Sequence, residues 1–198
     1  AYVRAGRWSD ADGANLFGID VHHRTLGIIG MGRIGEAVAR RAKWGFGMNV
    51  LYHNWNRKPE AEAELGAQFR PMDRLLAESD FIVLMTPLTP DTRRLIGENE
   101  FKLMKKTAVF VNASRGETVD EQALYEALRD RRIYAAGLDV FEREPLSGSH
   151  PLASLPNAVL LPHIGSATGR TRADMAMLAA ENLVAALEGR RPPNIVTS

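Results

Sequence analysis

The 198-residue sequence predicts an α/β protein whose mainly parallel sheet is doubly wound, with helices on both faces. Two observations carry this prediction: short apolar segments alternate with helical patterns, and a glycine-rich turn separates the first strand from the first long helix. Strands that are joined through such helices need crossover connections, which make the strands parallel. The strands are expected at residues 25–29, 49–52, 67–69, 80–85, 108–111, 133–138 and 158–161.

Helical patterns fill the segments between these strands and continue toward the C-terminus. Asp120 is typical of a helix N-cap, and the apolar residues that follow it share one helical face. Residues 89–97 are expected to form a short helix that Gly97 closes, because a threonine can cap it and a proline suits its first position. Gly189 is expected to end an amphipathic C-terminal helix. The other expected helices cover residues 33–44, 60–65, 72–77 and 101–106, and the apolar residues of the last helix are Met175, Leu178, Ala179, Leu183 and Leu187.

Composition excludes several classes of function. The 25 Lys and Arg residues and 24 Asp and Glu residues give a net charge of +1, so nothing indicates a nucleic-acid partner or an anionic membrane surface. The absence of cysteine excludes disulfides, thiolate metal sites and a cysteine nucleophile. Apolar segments such as 81–85 and 176–180 are far shorter than the ~20 residues that span a membrane. We therefore expect a cytoplasmic protein and, because its histidines lack ligand spacing, no metal site.

A glycine-rich segment with the spacing G-x-G-x-x-G lies directly between the first strand and the first long helix. In such a turn Gly30 permits a tight reversal, Gly32 lets a pyrophosphate approach backbone N–H groups, and Gly35 lets the helix pack closely on the strand. The helix N-terminus, with Arg33 and Ile34, then faces the anion. The pattern predicts a dinucleotide site, and a purely structural turn is the alternative.

The end of the second strand indicates which dinucleotide is bound. NAD-binding proteins of this type carry a carboxylate there for the ribose 2′-hydroxyl, but residues 51–58 contain no acid. A carboxylate would repel a 2′-phosphate, whereas amide and cationic side chains can bind one. The sequence therefore predicts that NADP(H) is preferred and NAD(H) possible, with a solvated basic loop as the alternative. The candidate phosphate ligands are Asn54, Asn56, Arg57 and Lys58.

Three chemically active side chains each follow an expected strand. Arg115 comes after the strand that ends at residue 111, Glu144 follows the next strand, and His163 follows the last one. Ligands of open parallel sheets bind at the carboxyl ends of the strands, so these residues are expected near one site. Taken singly, they also fit a surface arginine, a loop glutamate and a histidine bonded to nearby backbone. Their shared placement beside a nucleotide turn favours catalysis.

With these motifs the sequence resembles the D-isomer-specific 2-hydroxyacid dehydrogenase family, and most of all its glyoxylate/hydroxypyruvate and 2-ketogluconate reductase branch. The resemblance implies a Rossmann-type domain, a homodimer and a small 2-oxo acid substrate. It implies an interdomain and dimer helix region at residues 1–18, a dinucleotide-binding domain at 19–189, and a linker at 190–198 toward a substrate domain not present in this chain. The matching motifs are the glycine turn and residues 86–92, 112–116, 136–141 and 162–166.

The resemblance also implies a role for each candidate. His163 would protonate the substrate carbonyl oxygen while hydride reaches the carbonyl carbon, Glu144 would bond the other ring nitrogen, and Arg115 would bind the 2-oxo acid. Two positions depart from the family pattern: Ser114 replaces a common Ala or Gly, and Trp55 stands where NADP-using members often have Arg. The other implied cofactor contacts are Thr86, Pro87, Ala113, Ser114, Asp139 and Gly165, together with Arg115 and His163.

Two other functions share these motifs. An NAD-dependent D-lactate or phosphoglycerate dehydrogenase is one, although the end of the second strand argues against it. A dinucleotide-sensing corepressor of the same fold is the other, and it would keep its oligomer and partner when His163 is replaced. Residues 1–198 alone are expected to bind dinucleotide but turn over poorly, because hydride transfer needs a closed site that excludes water.

Overall fold

Seven parallel strands form the sheet in the computed structural model, which describes residues 3–6, 8–9 and 18–195. The strands are β1 (Thr25–Ile29), β2 (Asn49–His53), β3 (Gln68–Phe69), β4 (Phe81–Leu84), β5 (Val109–Asn112), β6 (Ala135–Leu138) and β7 (Ala158–Leu160). Their spatial order is β3-β2-β1-β4-β5-β6-β7. Every expected strand is present, with small shifts at the ends, and the predicted doubly wound parallel sheet is confirmed.

Six α-helices accompany these strands in the described part of the chain. They are α1 (Arg33–Phe46), α2 (Pro59–Leu65), α3 (Met72–Glu78), α4 (Glu98–Leu103), α5 (Glu121–Arg129) and α6 (Gly169–Leu187). Asp120 caps α5 as predicted, because its carboxylate accepts the Ala123 N–H at 3.0 Å. A short 3-10 turn, Gly116–Thr118, lies between β5 and α5.

The helix expected at residues 89–97 is absent. The Thr92 hydroxyl donates to the Pro87 carbonyl at 2.6 Å, and Arg94 has a left-handed backbone with a φ of 51°. A side chain that bonds to nearby backbone competes with helical hydrogen bonds, which is why this segment forms turns instead. The expectation that Gly97 closes a helix was wrong, because Gly97 lies directly before α4, which begins earlier than expected.

Apolar side chains cover both faces of the sheet. Successive strand residues point to opposite faces, so in β1 Ile28 packs in the cluster under α1 and α2, whereas Ile29 packs in the cluster under α3, α4 and α5. With both faces covered, the carboxyl ends of the strands form the open edge. The loops after β1, β2, β4, β5, β6 and β7 meet along that edge and build the site described below.

Helix α6 is present, but its apolar face is not packed. Thr168 caps its N-terminus by accepting the Thr171 N–H at 3.1 Å, and Gly189 follows its end with a φ of 68°. Only Ala185 of this helix is buried. The residues expected on its apolar face lie exposed, so this amphipathic pattern does not reflect packing against the described residues: Met175, Leu178, Ala179, Leu183 and Leu187.

The two ends of the chain are described only in part. Val3–Ala5 forms a 3-10 turn, while most of the expected interdomain helix lies outside the described residues, as do residues 196–198. The boundaries at residues 18 and 190 therefore stay predictions. Within the described segments, no helix combines the length and the hydropathy that a membrane span requires.

Candidate active site

The turn after β1 requires glycine at two of its three glycine positions. Gly30 has a φ of 98°, and a Cβ on it would lie 2.8 Å from the backbone of Met85 and Thr86. A Cβ on Gly35 would lie 2.7 Å from the Gly30 carbonyl oxygen. These distances are too short for any side chain, so the turn, the β4 loop and α1 pack together as the motif predicts.

The remaining glycine opens toward the site. A Cβ on Gly32 would have no atom within 4 Å, and Gly32 is the N-cap of α1, with no side chain to satisfy the first helical N–H groups. Arg33 and Ile34 in that first turn are exposed. The free space and the unpaired N–H groups fit a phosphate at this helix end.

Two cavities extend from this turn along the carboxyl edge of the sheet. One of about 570 Å³ lies between the β1, β2 and β4 loops, and one of about 400 Å³ lies between the β4 and β5 loops. Thr86 and Pro87 line both cavities, and Ala113, Ser114 and Arg115 line the second. The Thr86 hydroxyl is buried without a hydrogen-bond partner in the described residues. An unsatisfied buried hydroxyl at the junction fits a polar ligand that spans both cavities, as a dinucleotide does.

The predicted 2′-phosphate ligands all line the larger cavity, but three of them already have partners. The Asn54 side chain accepts the Met31 N–H at 2.6 Å and donates to the Met31 carbonyl at 3.2 Å, and so it fixes the glycine turn. Arg57 makes a two-bond contact with Glu62. Asn56 is exposed, and the Lys58 ammonium lies 4.0 Å from a Glu36 oxygen.

His163 and Glu144 form a direct pair after β7 and β6. His163 Nδ1 lies 2.7 Å from Glu144 Oε2, and because a carboxylate only accepts, Nδ1 carries the hydrogen. The other Glu144 oxygen accepts the Phe141 N–H at 3.0 Å. The hydrogen bond from His163, which outweighs partial burial, holds the pKa of the Glu144 carboxyl below its usual value, with help from Phe141. The two residues that the sequence predicts near one site thus form a hydrogen bond between an imidazole and an ionised carboxylate.

Asp139 holds the loop that carries the histidine. Its two carboxylate oxygens accept the N–H groups of Ile164 and Gly165, each at 2.8 Å. His163 itself has a left-handed backbone with a φ of 52°. Asp139 and Gly165, which the family resemblance implies as cofactor contacts, therefore bond each other, and their contact with the cofactor stays a prediction.

Arg115 lies exposed on the loop after β5, next to the loop that carries Glu144. A Cβ on the following residue, Gly116, would fall 1.8 Å from the Phe141 carbonyl carbon, so the two loops are in direct backbone contact. The Asn112 side chain fixes the first loop by donating to the Arg115 carbonyl at 3.0 Å. The guanidinium donates to the Ser114 carbonyl at 2.7 Å and remains accessible from solvent.

Sequence reasoning missed two features of the site. One is Glu62, whose role as the partner of Arg57 no motif signals. The other is a cavity of about 530 Å³ beside the His163–Glu144 pair, formed by apolar residues of the β6 and β7 loops: Phe141, Pro145, Leu146, Leu160, Leu161 and Pro162. Among the residues that can be described, no cluster of three or more His, Cys, Asp or Glu side chains could hold a metal ion.

The glycine turn, the two joined cavities and the doubly wound sheet define a dinucleotide-binding domain with a histidine–carboxylate pair at its edge. The chain belongs to the D-isomer specific 2-hydroxyacid dehydrogenase family, whose NAD binding domain matches residues 1–165. This confirms the resemblance seen in the motifs.

Several known proteins are similar to this chain over nearly its whole length. Glyoxylate/hydroxypyruvate reductase B of Klebsiella pneumoniae is 53% identical over 194 residues, which are 98% of this chain and 60% of that protein. The crystal structure of the TT0316 protein from Thermus thermophilus superimposes with a TM-score of 0.92 and 49% identity, over 99% of this chain and 61% of that one. The crystal structure of a glyoxylate reductase from Paecilomyes thermophila superimposes with a TM-score of 0.85 and 45% identity, over 94% of this chain and 55% of that one. The chain thus spans about 60% of the length of these relatives.

Proposed function

We propose that this chain is the cofactor-binding part of an enzyme that uses NADPH to reduce a small 2-oxo acid to the D-2-hydroxy acid. Glyoxylate, hydroxypyruvate and 2-ketogluconate are the candidate substrates. The observation that carries the proposal is the 2.7 Å contact between His163 and Glu144 at the carboxyl edge of the sheet, on the loops beside the dinucleotide cavities. The names of the relatives, which include glyoxylate/hydroxypyruvate reductase B, support it.

Each side chain has a proposed task in this reaction, and the geometry supports it. The bound nicotinamide supplies a hydride. His163 bonds Glu144 through Nδ1, so its Nε2 is free to give a proton to the carbonyl oxygen of the substrate. The Glu144 carboxylate stabilises the cationic imidazole and fixes the ring orientation. Arg115, exposed at the next loop, binds the substrate carboxylate through paired N–H groups.

The preference for NADP(H), with NAD(H) possible, rests on the β2 loop. Asn56, Arg57 and Lys58 line the larger cavity, and residues 51–58 bring no carboxylate to it. A ribose 2′-phosphate would therefore meet cationic and amide donors. Titration of the protein with NADPH and NADH should give a lower dissociation constant for NADPH. A tighter NADH complex would overturn this preference and favour an NAD-dependent dehydrogenase.

Replacement of the histidine tests the enzymatic function itself. In the full-length enzyme, with NADPH and each candidate 2-oxo acid, His163→Ala should lower kcat by at least about 10²-fold, because general acid catalysis contributes that much. The variant should still bind NADPH, since the glycine turn and the two cavities are intact. A protein that shows no turnover before the substitution and keeps its oligomer and partner after it would favour a dinucleotide sensor over an enzyme. The homodimer and the cytoplasmic location stay predictions, of which the first can be checked by light scattering.

A further inference from the structure

An ion pair joins the loop after β2, which carries Arg57, to helix α2, which carries Glu62. Its geometry is the same as that of a contact between arginine and phosphate. Arg57 Nε lies 3.0 Å from Glu62 Oε1, and Nη2 lies 2.6 Å from Oε2. Two parallel N–H groups of a guanidinium bind a phosphate in the same way. The Glu62 carboxylate therefore occupies the donors that a ribose 2′-phosphate would use.

A second hydrogen bond, from a tyrosine of β2, fixes Glu62 in this position. Its Oε1 also accepts the hydroxyl of Tyr52 at 2.5 Å, and that hydroxyl accepts the Lys58 N–H at 2.7 Å. Tyr52 is fully buried in the sheet, so the carboxylate is tied to a rigid element. Hydrogen bonds from Arg57 and Tyr52 lower the pKa of Glu62, which keeps it ionised at neutral pH.

Arg57, in contrast, is held loosely. Its side chain is 66% exposed, whereas that of Glu62 is 21% exposed. Exposed ion pairs contribute little free energy to stability, because water screens the charges and long side chains lose entropy on pairing. A 2′-phosphate that enters the cavity can therefore compete for the guanidinium, but it must displace a carboxylate that stays close and repels it.

We propose that Glu62 is a specificity-determining residue that limits the preference for NADP(H) over NAD(H) by holding Arg57 in a phosphate-like contact. The inference rests on the proposed function, since it presumes that the 2′-phosphate binds beside Arg57. NADH lacks this phosphate and is insensitive to the competition. Glu62 thereby keeps the two cofactors closer in affinity than the basic loop alone would.

The experiment compares dissociation constants of NADPH and NADH for wild type and Glu62→Gln. Glutamine keeps an acceptor for Tyr52 but removes the negative charge, so NADPH should bind about threefold to fivefold more tightly, with NADH unchanged. Glu62→Ala should also lower the NADPH dissociation constant and leave that of NADH unchanged. It replaces the first variant in the experiment if Glu62→Gln does not fold. An unchanged ratio of the two constants, or weaker NADPH binding, would overturn the inference.

A matched control lies on the same helix. Glu64 pairs with Arg40 through the same two-bond contact, at 2.7 and 2.8 Å, and neither residue lines the cavity. Glu64→Gln makes the same change in net charge and should leave both constants unaltered.

A double variant ties the effect to the guanidinium. In the Arg57→Ala background, Glu62→Gln should no longer improve NADPH binding by the same factor. If the full gain persists there, simple charge repulsion explains it and the competition for Arg57 is refuted. If wild type binds NADH more tightly, the proposed cofactor preference fails, while the Arg57-dependent change in the ratio still decides the role of Glu62.

Discussion

At the scale of single residues, the histidine is held in an unusual conformation by its neighbours. A φ of 52° is uncommon for a residue other than glycine. The Asp139 carboxylate compensates by accepting the next two backbone N–H groups, and Glu144 fixes the ring. The imidazole is therefore held in one orientation, and in the proposed reaction this lowers the entropic barrier to proton transfer.

Replacement of the carboxylate partner tests this orientation. Glu144→Gln removes the charge that stabilises the imidazolium, so we expect kcat for the 2-oxo acid to fall by about 10²-fold. The NADPH dissociation constant should hardly change. Glu142→Gln is the control, because the Glu142 side chain faces Arg94 at 3.6 Å and not the histidine. Equal activity of wild type and Glu144→Gln would show that the pair has no catalytic role.

At the scale of elements, the turn between β1 and α1 separates structural glycines from a functional one. Gly30 and Gly35 are enclosed by backbone, whereas Gly32 faces open space. Gly30 and Gly35 allow a strand, a loop and a helix to pack together. Gly32 allows a ligand to approach, so one short motif carries both tasks.

Two alanine substitutions distinguish these tasks. Gly35→Ala should lower the free energy of unfolding by about 1–3 kcal/mol, because its Cβ would clash with a backbone carbonyl. Gly32→Ala should change stability by less than about 0.5 kcal/mol, since its backbone is extended, with a φ of −94°, but should weaken NADPH binding at least about tenfold. Urea unfolding and cofactor titration measure both. A stable, tightly binding Gly32→Ala protein would contradict the phosphate assignment.

At the scale of the whole molecule, a charged residue links three strands at the amino ends of the sheet, opposite the site. Asp80, before β4, accepts the Thr25 N–H at 3.0 Å and the Lys105 ammonium at 2.8 Å, and its own carbonyl accepts the Val109 N–H. It thus joins the starts of β1, β4 and β5. Partial burial raises the pKa of the Asp80 carboxyl, but the bonds from Lys105 and Thr25 outweigh it and leave the pKa below its usual value.

This residue predicts a pH-dependent stability. Because the folded-state pKa of Asp80 is lowered, its contribution is complete above the unfolded pKa of about 3.9 and is lost as pH falls through the folded value. Asp80→Asn should therefore lower the free energy of unfolding by about 1.5–3 kcal/mol at pH 7, and the difference from wild type should shrink in strong acid. Asp174→Asn, at an exposed ion pair of α6, should have little effect. A constant difference across pH would refute the linkage.

Local sequence patterns were enough to predict most of the architecture and the proximity of His163 and Glu144. The strands could be located because buried apolar segments and helical periodicity reflect each element by itself. Arg115, Glu144 and His163 could be grouped because parallel strands bring their carboxyl ends to one edge. The prediction of a helix at residues 89–97 was wrong because the Thr92 hydroxyl donates to the Pro87 carbonyl in place of a helical hydrogen bond. Helix propensity does not reveal such a bond.

The sequence by itself determined the doubly wound sheet, the glycine turn and the placement of active side chains after strands. Only the tertiary structure decided which polar groups are already bonded: Asn54 to Met31, Arg57 to Glu62, and Asp139 to the loop of His163. It also decided that the apolar face of α6 is not buried by the described residues. The physical reason is that periodicity is a local property of the backbone, whereas hydrogen-bond partners and burial depend on which distant segments the fold brings into contact.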